Sequence, residues 1–138
     1  MGALSEQLLP ILRERFLGRG LVEGQTPDDP CAMFPGLHPG IRRVAVYDDR
    51  VELTVSVDDI THGHFSDVSA PRAVGEQRTV EAVVEFLQAL FNDQVAMWGH
   101  HNTGGGWYRL DLGGEVHQPG VPEFVWSGPL VKATELAT

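Results

Sequence analysis

Apolar residues recur along this chain with two periods, and each change of period marks a new element. In "MGALSEQLLPILRERF", Leu4, Leu8, Ile11, Leu12 and Phe16 are spaced three and four apart, which predicts a helix with one apolar stripe. Ser5 is its expected N-cap, Pro10 then falls near the first turn, and Gly18 and Gly20 stop it. In "IRRVAVYDDRVELTVSV" the period drops to two. Val44 and Val46 alternate with Arg43 and Tyr47, and Val51, Leu53, Val55 and Val57 alternate with Glu52, Thr54 and Ser56. That pattern predicts an antiparallel hairpin turning at Asp48-Asp49, with one face in a core. The helical period returns in "RTVEAVVEFLQALFND". Val80, Val83, Val84, Leu87, Leu90 and Phe91 share a stripe, Glu81, Glu85 and Gln88 lie opposite, and Phe86 falls beside the stripe. Thr79 is the expected cap.

The stretch "AMWGHHNTGGGWYRLDL" follows directly and reads as a second hairpin, with residues 102–106 as its turn. An odd-sum register places Val95, Met97, Tyr108, Leu110 and Leu112 on the core side, and sends Trp98, His100, Trp107 and Arg109 to the other face. A short strand in "EFVWSG" ends the sheet, and residues 131–138 read as a flexible tail. Residues 18–40 are rich in Gly and Pro and read as a long ordered loop laying Met33, Phe34 and Leu37 across the core edge. The expected order is α–β–β–α–β–β–β. It describes one α+β domain over residues 1–138, an antiparallel sheet of about five strands with two main helices.

Composition narrows the partners. The 138 residues are 42% hydrophobic and 21% charged, an ordinary balance for a folded domain. Ten Lys+Arg against nineteen Asp+Glu give a formal charge of −9, which argues against nucleic acid and favours a basic protein partner. Cys31 is the lone cysteine, so an internal disulfide and a cysteine zinc cluster are both excluded. Its setting among prolines carries no nucleophile signature. The first residues lack a basic n-region, and no apolar run is long enough to span a bilayer, so the expectation is a cytoplasmic chain with no membrane contact.

Chemistry-bearing motifs are few. Phosphate-binding loops, HExxH and GxSxG are absent, and "NTGGGW" joins two strands rather than opening a helix. "VSVDDITHGHFSD" extends the first hairpin's second strand, so Asp58, His62 and His64 are expected on its outward face. His62 and His64, with His100 from the other hairpin, form a candidate divalent-metal set, and Asp58 is a candidate fourth ligand. If helices cover one side of the sheet only, the other side presents Trp98, His100, Trp107 and Arg109 beside them as a ligand or partner surface. The first reading is therefore a small acidic binding protein whose ligand is a protein or a small molecule. The second is a metal-dependent or acid–base enzyme acting on a small molecule through the histidine cluster.

Overall fold

A computed structural model describes residues 2–101, 104–114 and 121–130. The fold is α+β, with helices α1 (Ala3–Arg15) and α2 (Arg72–Phe91) and two antiparallel sheets. Strands β1 (Val22–Glu23), β2 (Ala32–His38), β3 (Ile41–Asp48), β4 (Leu53–Val57) and β5 (Thr61–Phe65) form the first sheet in sequence order. Strands β6 (Val95–His100), β7 (Gly104–Arg109), β8 (Glu123–Val125) and β9 (Gly128–Pro129) form the second, in the order β7-β6-β8-β9. The expected single sheet of about five strands is thus two. Among the described residues, no helix is long and apolar enough to cross a membrane.

Alternation builds the first sheet as anticipated. Val44, Val46, Leu53, Val55 and Val57 are buried, and Val44↔Val57 and Val46↔Val55 are directly opposed. Val51 departs from the pattern: it sits in the turn and is 75% exposed. The Gly/Pro-rich stretch holds two strands rather than a loop alone. Ala32 and Phe34 on β2 are fully buried, and Pro35 falls where the ladder with β3 shifts register, so its missing N–H costs little there.

Helix α1 begins at Ala3 with Gly2 as N-cap, not at Ser5. Its first turn is held from a distance: the Asp48 carboxylate, at the end of β3, accepts from the Ser5 backbone N–H at 3.1 Å. Asp48 also accepts from the Arg50 N–H at 2.9 Å, so one side chain caps the helix and shapes the turn. Pro10 therefore lies inside the helix rather than in its first turn. Helix α2 starts seven residues before the expected cap. Thr79 is buried within it and donates to the Gly75 carbonyl at 2.8 Å. Both helices pack on the same side of the first sheet, where Leu8, Leu12, Val83, Leu87 and Leu90 bury against its valines. Phe86, beside the main stripe, is buried too.

The second sheet closes one end of this core. The His38 Nδ1 accepts from the Gly40 N–H at 3.1 Å, so its Nε2 carries the proton and donates to the Val125 carbonyl at 3.2 Å. In the turn between β8 and β9, Trp126 is 1% exposed and packs on Phe91 with ring centroids 5.0 Å apart. Phe91 in turn meets Phe16 at 5.0 Å and Phe34 at 5.1 Å. The Trp126 indole N–H has no acceptor among the described residues.

Candidate functional site

His62 and His64 lie on a strand that sequence periodicity did not resolve. The chain turns at residues 58–60 after β4 and returns as β5, so the histidines do not prolong β4. Ile60 is buried in that turn. The outward placement of the histidines survives, because Ser56↔His62 and Thr54↔His64 are directly opposed while Leu53, Val55 and Val57 face the core. Their rings meet edge to face, with centroids 5.0 Å apart and an interplanar angle of 86°. The His64 Nδ1 lies 3.0 Å from Glu52 Oε1 and 3.2 Å from Thr54 Oγ1. The Thr54 hydroxyl spends its own proton on Asp49 Oδ2 at 2.8 Å, so it can only accept from the imidazole. Both neighbours are therefore acceptors. In the neutral imidazole they fix the proton on Nδ1, which leaves the lone pair on Nε2. Met33, Ala45 and Tyr47 share this face by register, and among the described residues both helices pack on the opposite one.

The second hairpin corrects the parity argument. Its register is even-sum, with Val95↔Arg109, Met97↔Trp107 and Trp98↔Gly106 opposed. Trp107 and Arg109 therefore share the inner face with Val95 and Met97. Tyr108 shares the other face with Ala96 and Trp98. Trp107 packs on Phe86 with centroids 4.8 Å apart, and its indole edge lies over Gly63 of β5. It packs β7 against α2 and β5, beside Val95 and Met97, which also enter the core. Arg109 turns onto α2, where its guanidinium bonds Glu85 at 2.8 and 3.0 Å and Asp111 at 2.7 and 2.9 Å. These bonds keep it charged and fully engaged at the edge of a groove of about 420 Å³ between α1, α2 and β7. Leu112, expected in the core, is exposed.

Trp98 remains on the outer face and is half-buried. Its indole lies flat on Gly106, where an added Cβ would come within 2.6 Å of the ring. Gly106 thus has a structural reason: without a side chain it lets the cross-strand indole cover the β7 backbone, while Gly104 supplies a φ of 85°. His100 pairs with Gly104 and is exposed.

Asp58 is the other expected ligand, and it is already engaged. At φ 51° in the corner between β4 and β5, its side chain is 0% exposed. Its carboxylate accepts from the Arg42 backbone N–H at 2.8 Å, Arg42 Nε at 2.9 Å, Arg42 Nη2 at 2.7 Å and the Asp59 N–H at 2.9 Å. Burial alone would raise its pKa, but the Arg42 guanidinium and the two backbone amides outweigh burial and hold it well below the usual carboxylate range. His101 Nδ1 bonds the neighbouring Asp59, tying the corner to the second hairpin. Asp58, Asp59 and His101 are the one group of three metal-ligating side chains within 4.8 Å of one another among the described residues. Arg42 supplies the countercharge there, so the group is accounted for as an ionic joint. His62, His64 and His100 do not converge in this way: two lie on β5 of the first sheet and one on β6 of the second. Burial and then the Asp48 charge push the Cys31 thiol up to about 12, which disfavours its thiolate.

Sequence reasoning missed Arg42 and His101. The signal for Arg42 was an Asp pair ending a strand whose neighbour begins with two arginines. Nothing in the pattern pointed to His101. Comparison with known proteins gives no functional lead, because no family model matches the chain and no curated protein or solved structure is significantly similar.

Proposed function

We propose that this is a small cytoplasmic binding protein whose contact surface is the helix-free outer face carrying His62, His64, Trp98 and His100. The observation that carries the reading is that α1 and α2 pack on the inner side, while the outer side of β2–β5 and β6 presents histidines, a half-buried indole, Met33 and Tyr47. A surface mixing apolar and imidazole groups, with Arg43, Asp49, Glu52 and Glu123 beside them, suits a protein contact, where aromatic anchors carry most of the energy. The formal charge of −9 favours a basic partner and a fast, salt-dependent encounter. Trp107 and Arg109 leave the proposed surface, since packing and ion pairs account for both. The test places a photo-crosslinking residue at position 56, on this face, or at position 14, on the exposed side of α1. A recurrent adduct at 56 that is absent at 14, and is lost on His62→Ala with Trp98→Ser, supports the surface. Equal adducts from both positions, or none from 56, count against it.

A further inference from the structure

We propose that His62 and His64 form a two-imidazole site for a divalent transition ion, with Glu52 and Thr54 fixing the ligating tautomer of His64. The site goes beyond the partner surface and does not depend on it. Two imidazole nitrogens bound to one ion at about 2.0–2.1 Å each lie roughly 3.3 Å apart. Rings already 5.0 Å apart, on residues exposed on one strand face, reach that separation by side-chain rotation alone.

Preorganisation sets this pair apart from two chance histidines. A ligating imidazole must offer an unprotonated nitrogen, and the other ring nitrogen usually donates to a carboxylate that orients it. Glu52, at 3.0 Å, is that carboxylate for His64, and Thr54 adds a second acceptor because Asp49 takes its hydroxyl proton. His62 makes no hydrogen bond to the described residues, so recruiting its ring breaks none. Glu52 and Asp49 place negative charge behind the ligands, which favours a cation. Imidazole donors select zinc, copper(II) or nickel over magnesium or calcium, and two protein ligands leave the remaining positions to water. The earlier set of four changes accordingly. His100 is on the other sheet, and Asp58 is held by Arg42.

The test uses the full chain without an affinity tag, titrated with zinc and with copper(II) by calorimetry, and copper(II) electron paramagnetic resonance on the same samples. The expected result is saturable binding with nitrogen couplings from two imidazoles. His62→Ala and His64→Ala should each weaken binding at least about 10-fold and leave one coupling. Glu52→Gln, which removes no ligand, should weaken it about 10–100-fold. His100→Ala should change neither affinity nor spectrum, and circular dichroism should show all four variants folded, since every change is at the surface. Binding undiminished by loss of either histidine, or none below millimolar ion, overturns the site. Unchanged affinity in Glu52→Gln overturns the assigned role of the carboxylate.

Discussion

Replacing Asp58 with Asn keeps the shape of the corner between β4 and β5 but removes its charge. One carboxylate oxygen accepts from the Arg42 N–H and Nε, the other from Arg42 Nη2 and the Asp59 N–H. Whichever way the amide turns, its NH2 faces two donors. Two bonds are lost, each of the charge-assisted kind worth about 1.5–3 kcal/mol. The Arg42 side chain is 57% exposed, so water replaces part of what it loses, whereas a backbone N–H left in the corner recovers less. The expected cost is about 2–3 kcal/mol at pH 7. Backbone strain adds little, because Asn tolerates the left-handed φ of 51°. The pH dependence has a definite sign. The folded carboxyl lies well below its unfolded value of about 3.9, so its contribution is complete above that value and is lost as pH falls toward the folded one. Urea melts should therefore show the gap between wild type and Asp58→Asn shrinking by about 1 kcal/mol between pH 5 and pH 3. A gap below about 0.5 kcal/mol at pH 7, or one constant down to pH 3, would refute the joint.

Leu87 is fully buried on α2, so Leu87→Ala should cost about 2–5 kcal/mol in denaturant melts. Trp107→Ala should cost about 3 kcal/mol and Trp98→Ala about 1 kcal/mol, because the first ring is inner-face core and the second lies over a glycine strand; melts ranking them the other way would contradict the observed parity. Trp126→Phe should melt within about 1 kcal/mol of wild type, since removing an indole N–H that has no acceptor among the described residues offsets the lost contact area. The Cys31 thiol, pushed up to about 12, should react with a disulfide reagent at pH 8 far more slowly in the folded protein than in urea, and equal rates would place it in solvent.

The parts legible in the sequence are those where one burial environment acts along a whole element. The β3–β4 hairpin and the α2 stripe are read correctly because each has one core face and one wet face. Strand β2 is hidden because Pro35 and Gly36 carry turn chemistry, yet sit at a register shift where a strand tolerates them. The start of α2 is hidden because residues 72–78 are mostly exposed and show no stripe, and because buried Thr79 looks like a cap. The parity of β6–β7 failed for a different reason: two registers each offer a plausible apolar row, and a glycine-rich turn favours neither. Phe86 held the deciding clue. An aromatic beside the stripe of α2 needs its own partner, and Trp107 reaches it only when turned inward. The candidate site was half legible. The histidines share the expected outward parity although the chain turns at 58–60 before reaching them, and the Asp48, Asp58 and Arg42 joints are tertiary and leave no periodic trace.

The most direct measurement of the outer face as a contact surface is the affinity of the crosslinked partner for two single-residue variants, Ser56→Arg and Glu14→Arg. Ser56 sits mid-sheet opposite His62 and Ala45, and Glu14 lies exposed on α1. The expected result is a loss of about 10-fold or more for Ser56→Arg, with unchanged melting, and less than about twofold for Glu14→Arg. Undiminished affinity in Ser56→Arg, or the larger loss in Glu14→Arg, would move the contact off this face.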